Sequence, residues 1–214
     1  MRAHRPAVAS RWFLHHTWTK APLVALDFET TGLNRSDDAI ISFGAVPIVA
    51  GRVELGRAVY REVRPKVAPS AESIAVHHLR PIDLREAPSM DEMRLQLRGM
   101  LECSFIVTWV AEVEAKFLST VFGGSPMHWL HRTIDTYRMA QTLAQLEGGD
   151  EEVHVGRLAG TAERYGIPVE EAHHALDDAV MTAELFLVLA TKLAARGDDR
   201  LKTLRRAARA GRSG

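Results

Sequence analysis

Apolar positions in this chain fall first into short runs and later into a helical rhythm. Residues 22–28 (PLVALDF) are apolar up to an acidic position, as a buried strand would be. Residues 40–50 (IISFGAVPIVA) form a second run, with Pro47 arguing for an edge or a bulge. Gly51 and Arg52 offer a turn, and residues 53–63 alternate imperfectly, like a third strand. Three successive strands on short turns predict an antiparallel meander.

The rhythm then changes. Ser89 stands three residues before Glu92, a capping-box spacing, so a helix is expected over 89–102. Residues 104–109 read as a buried strand that would bury Cys103 beside it. Residues 111–122 read as a helix with Val113, Phe117, Leu118 and Val121 on one face. A short strand at 132–135 and a helix over 136–146 follow, then a loop at Gly148 and Gly149. Two more helices are expected near 155–165 and 174–195, punctuated by Gly166 and Pro168. A meander followed by alternating strands and helices predicts an α/β fold: a mixed sheet with helices on its faces.

Composition narrows the class. A chain of 214 residues with 46% hydrophobic and 25% charged residues suits one globular domain with appended ends. No apolar run has the roughly 18 residues that suggest a membrane span. The lone Cys103 excludes an internal disulfide and fits a reducing compartment. The formal net charge is zero, yet its distribution is uneven. Ten of the 27 cations lie in residues 1–26 and 200–214, which hold no acid, leaving 17 against 27 acids in residues 27–199. Clustered carboxylates suit metal cations, and basic ends suit phosphate backbones, although solvated tails would show the same composition. The Arg-containing, acid-free first 20 residues also have some character of an organelle transit peptide.

Two constellations carry candidate chemistry. Asp27 and Glu29 flank Phe28, so a strand aims both carboxylates at one face while Phe28 enters the opposite core. Thr30, Thr31 and Gly32 follow, where glycine permits a turn and backbone N–H groups could meet a ligand. Near the other end stand His173, Ala175, Leu176, Asp178 and Ala179. The small Ala175 and Ala179 let a helix approach a sheet closely. Asp177 and Asp178 differ by about 100° around a helix, so only Asp178 is expected at the site, with Asp177 facing water.

The run Asp27-Phe28-Glu29-Thr30-Thr31-Gly32-Leu33 and the run His173-x-Ala175-Leu176-x-Asp178-Ala179 together resemble the DEDD exonucleases. The likeness is to the DEDDh branch, which includes the proofreading subunit of the bacterial replicative polymerase, oligoribonuclease and ribonuclease T. Ile134-Asp135-Thr136 and residues 158–168 also look like the family, and the resemblance covers roughly residues 22–192. It implies a ribonuclease-H-like fold and four acidic ligands for two Mg²⁺ or Mn²⁺ ions. Asp27, Glu29 and Asp178 match directly. The middle motif departs: counting back from Phe117-Leu118 puts Glu114 where the family has Asp, and the usual His-Asn pair is absent. Glu112 competes, from a different helix face.

By the same resemblance, two metals about 3.5–4 Å apart would steady the attacking and leaving oxygens. His173 would take a proton from water as general base. Thr30, Thr31 and Gly32 would hold the terminal nucleotide, and Leu33 would pack on its base. Trp109 stands in place of the missing His-Asn pair; it could stack on a base, although a place in the core or at its rim fits it better. His77 and His78 are expected at the surface near substrate, without a catalytic role.

The expected organisation is a basic extension over 1–21, an exonuclease domain over 22–195 and a basic tail over 196–214. The expected activity is 3′→5′ hydrolysis of phosphodiester bonds at the 3′ end of a nucleic acid, single-stranded DNA or RNA, in the cytoplasm, with a polymerase or other protein as a further partner. The alternative is a catalytically weakened module that holds nucleic-acid ends or docks on a polymerase.

Overall fold

The computed structural model describes residues 13–32, 34, 37–148, 155–169 and 173–209. One mixed sheet organises the chain. Strand β1 (Leu23–Thr30) pairs antiparallel with β2 (Ile40–Val49). The outer side of β2 is shared by β3 (Arg52–Val53) and β4 (Val59–Glu62). On its other side β1 runs parallel to β5 (Phe105–Thr108), and β5 parallel to β6 (Thr133–Asp135). The expected meander and mixed sheet are therefore present, with one change. The third strand is broken by a 3₁₀ turn at Leu55–Arg57. Pro47 faces that interruption, between the Ala45–Val59 and Ile48–Val53 pairs, where a missing N–H costs no ladder bond.

Helices cover both faces. Helix α1 (Ala71–His77) follows β4, and α2 (Met90–Leu101) starts at the expected capping box of Ser89 and Glu92. Helices α3 (Ala111–Phe122) and α4 (Pro126–Leu130) lead into β6, and α5 (Thr136–Leu146) leaves it. Helices α6 (Leu158–Arg164), α7 (Ala175–Ala194) and α8 (Leu201–Ala207) complete the described chain. Alternation along β1 divides the core. Leu23 and Ala25 pack with Met139, Phe186 and Leu189 on one face, while Val24, Leu26 and Phe28 pack with Leu97, Phe117 and Leu118 on the other.

Both flanking segments pack onto this body. The Trp18 N–H donates to the Asp199 carbonyl, and Leu201 and Lys202 donate to His16 and Leu14. Trp18, Leu201 and Leu204 are buried in the core, so residues 196–209 are not a solvated tail. The basic residues of 1–12 and Arg212 lie outside the described residues. Cys103 corrects its expectation: it is exposed, in the left-handed region at φ 62°, because the chain turns there before β5 begins. Among the described residues no helix is long and apolar enough to cross a membrane.

One contact sets the distance between sheet and helix. Gly44 lies opposite Asp27 on β2, and a Cβ added there would fall 2.2 Å from the Ala175 carbonyl oxygen at the start of α7. Only glycine lets the helix backbone rest on the strand. Gly44→Ala is expected to lower unfolding stability by about 1–3 kcal/mol or more in urea titration, whereas Gly56→Ala, with nothing within 4 Å of the new methyl, should change it little. Equal stability of the two variants would contradict this packing.

Candidate active site

The site forms at the end of β1, where the strand pattern delivers Asp27 and Glu29 to the face covered by α7. That helix contributes Asp178 from its first turn. Glu29, His173 and Asp178 each place one ligand atom within 4.8 Å of the others'. The fourth carboxylate comes from the opposite face. Glu114 lies in the first turn of α3, is 4% exposed, and has one carboxylate oxygen, Oε2, buried without a hydrogen-bond partner. Glu112 instead is exposed and faces Arg138 at 3.6 Å.

The electrostatics are those of crowded acids. Burial and then the charges of Glu114, Asp178 and Glu29 hold the Asp27 carboxyl well above the usual range. Burial and the Asp178 charge push Glu29 up to about 8. Burial likewise raises Glu114 and, against the opposing pull of the His173 N–H and charge, Asp178. Among the described residues no Lys or Arg lies within ion-pair distance of these four acids. Hard oxygen donors, crowded and unbalanced, fit divalent cations such as Mg²⁺ or Mn²⁺, and the unpartnered Glu114 Oε2 fits the same purpose.

Neighbouring elements hold these carboxylates in place. Asp135 ends β6 and caps α5 by accepting from the Arg138 N–H at 2.9 Å, while its other oxygen accepts from the Ala111 N–H at 3.0 Å. One buried acid thus fixes the first turns of α5 and α3, and through α3 the direction of Glu114. At the end of β1, Leu79 N–H donates to His77 Nδ1, so His77 Nε2 donates to Ser73 Oγ, which donates to the Thr30 carbonyl at 2.6 Å. His77 is 6% exposed, which corrects its expected place at the surface: it is a buried tie between α1 and β1. His78 is exposed in the left-handed C-cap position.

The sequence profile of the exonuclease family (RNase_T) matches residues 24–186. The chain belongs to that family. It is 32% identical over 175 residues to the PolC-type DNA polymerase III of Thermotoga maritima, a match over 80% of this chain but 12% of that protein. It is 29% identical to the DNA polymerase III epsilon subunit of Treponema pallidum, over 77% of this chain and 74% of that one. The fold matches E. coli Exonuclease I in complex with a dT13 oligonucleotide at TM-score 0.67 and 16% identity, over 82% of this chain and 42% of that one.

The turn that opens the exonuclease site differs in detail from its expectation. Thr31 is buried; its N–H donates to the Ala39 carbonyl and its hydroxyl to Asp38, so this amide does not face a ligand. Thr30 Oγ1 donates to the Gly32 carbonyl. Gly32 does not need the left-handed region; a Cβ there would meet Asp38 Oδ2 at 2.5 Å and push aside the carboxylate that accepts from Thr31. Leu33 lies outside the described residues. Trp109 is half-buried, edge-on to Tyr137 at 5.3 Å between ring centres. Asp177 faces away from the acids, yet it is not idle in water: its Oδ2 lies 2.8 Å from His174 Nδ1.

The raised carboxyls have a thermodynamic consequence. A carboxyl whose folded pKa lies above its unfolded value holds its proton longer in the fold, so chelated protein loses stability as pH rises, between about 4.5 and 8 for Glu29. Cations that bind only the folded, ionised site offset that loss. The rise in melting temperature on adding Mn²⁺ should therefore be larger at pH 8 than at pH 5.5. An equal rise at both pH values, or none, would contradict an acid cluster short of positive charge.

Proposed function

We propose that this exonuclease removes nucleotides from the 3′ end of a nucleic acid, using two divalent cations, Mg²⁺ or Mn²⁺, held by Asp27, Glu29, Glu114 and Asp178. The observation that carries the reading is Glu114, whose buried and unpartnered oxygen belongs to the same electrostatic cluster as Asp27. A weakened binding module would have no reason to keep that acid buried. Bound cations supply charge neutralisation at the phosphorus and acidify water. The chain's own residues do the rest. His173, exposed at the mouth of the cleft, accepts the proton of the attacking water. Glu29 and Asp178 each place a ligand atom within 4.8 Å of one on His173, so the base stands beside the acids that would hold a cation.

The cleft beside the acids measures about 370 Å³ and is lined by Glu29, Ser42, Tyr60, His77, His78 and His173, among others. It suits one unpaired nucleotide, which favours single-stranded ends. The turn at Thr30 and Gly32 beside it would hold the terminal nucleotide, and the exposed edge of Trp109 would offer a stacking surface. The relatives named as polymerase chains and subunits support a polymerase as a protein partner. A cytoplasmic, reducing location suits the exposed thiol of Cys103.

Oligonucleotides labelled at the 5′ end should shorten stepwise in Mg²⁺ or Mn²⁺, faster when single-stranded, and excess chelator should stop the reaction. Glu114→Gln should reduce turnover by roughly 10²-fold or more, as expected for loss of charge from a two-metal site, while Glu112→Gln stays near wild type. Immediate release of the 5′-labelled nucleotide would overturn the polarity. Normal turnover of Glu114→Gln would overturn its role.

A further inference from the structure

His173 stands in a conformation that its own chemistry does not favour. Its φ of 68° is left-handed, a region that non-glycine residues occupy sparingly and that must be held by their surroundings. Its backbone N–H donates to Asp178 Oδ2 at 3.2 Å, which fixes one side of the residue. The other side is fixed by its neighbour. His174 is the N-cap residue of α7, but its side chain makes no capping bond. Instead its ring lies against the Tyr60 ring, with centroids 4.4 Å apart and planes 33° from parallel, and its Nδ1 lies 2.8 Å from Asp177 Oδ2.

The sheet explains why those partners meet. Tyr60 is the β4 residue paired with Gly44, and Gly44 is where the start of α7 rests on β2. The missing side chain at position 44 brings the first turn of α7 down beside the Tyr60 ring. His174 is then packed between a ring on β4 and a carboxylate on its own helix, the latter a close contact without hydrogen-bond alignment. All three stand beside the acids, yet none belongs to the group of side chains whose ligand atoms converge, Glu29, His173 and Asp178.

We infer that Tyr60, His174 and Asp177 are positioning residues for His173: they clamp position 174 so that the left-handed residue before it presents its imidazole to the cleft. This rests on the proposed role of His173 as the base. The clamp acts on the placement of one proton acceptor, and a displacement of about 1 Å at a reacting group can cost roughly 10²-fold in rate. Its effect therefore belongs to turnover and should vanish when His173 is absent.

The test is a double-mutant cycle on the full chain, with steady-state hydrolysis of a 5′-labelled oligonucleotide over a range of concentrations in Mg²⁺. His174→Ala and Tyr60→Ala are each expected to lower kcat roughly 10- to 100-fold, beyond any rise in KM that follows from their also lining the cleft. Tyr60→Phe, which keeps the ring, should recover most of that loss. In the His173→Ala background, His174→Ala should reduce kcat by less than about threefold more. Mn²⁺ affinity by calorimetry and the melting temperature should stay near wild type, which separates misplacement of the base from loss of ligands or unfolding.

Full multiplicative loss in the double variant, an effect of Tyr60→Ala confined to KM, or weakened Mn²⁺ binding would each overturn the clamp. A His173→Ala variant with normal turnover would instead overturn the role of the base itself, so the two failures are distinct.

Discussion

Four carboxylates meet at one end of a sheet, with no lysine or arginine within ion-pair distance among the described residues, and the remainder of the fold is arranged around holding that unfavourable crowd. Each acid is brought by a different constraint. The strand period delivers Asp27 and Glu29 together. The start of α7 delivers Asp178. The start of α3, from the opposite face of the sheet, delivers Glu114. An isolated buried carboxylate costs several kcal/mol, so these acids either keep their protons or take a cation. A site of this kind is not a by-product of stability; it is a charge deficit that a bound cation would correct.

The supports of the crowd are small contacts with large leverage. Gly44 sets how close α7 comes to the sheet, and therefore how close Asp178 comes to Asp27. Asp135 is bound by the first amides of two helices and so fixes where α3 begins, one turn before Glu114 points inward. His77 and Ser73 tie α1 to the Thr30 carbonyl, so the end of β1 cannot swing away from the cleft. In each case a local rule, a missing Cβ, a helix cap or a hydrogen bond, carries a positional consequence for an acid several residues away.

Much of this was legible in the sequence because it follows from short-range periodicity. Asp27 and Glu29 two apart, the capping box at Ser89, the helix over 111–122 and the separation of Asp178 from Asp177 are all local patterns. What stayed hidden depends on pairs that only the tertiary fold creates. Gly44 reads as an ordinary glycine in a strand until Ala175 arrives above it. His77 reads as a surface residue until Ser73 and the Leu79 amide satisfy both its nitrogens. Cys103 reads as part of a buried strand because its apolar neighbours mask the left-handed turn before β5. The burial of Leu201 and Leu204 was obscured by the arginines around them, since charge composition outweighed their helical spacing.

The claim that organises this account is that the carboxylates are held short of positive charge and keep protons that a cation displaces. Calorimetric titration with Mn²⁺ at pH 7, repeated in buffers of different ionisation enthalpy, measures that directly. A binding enthalpy that depends on the buffer is expected, corresponding to net proton release on the order of one per chain, with diminished release at pH 9, above the value of about 8 to which Glu29 and Glu114 are raised. Binding with a buffer-independent enthalpy at pH 7, or no binding at all, would contradict it.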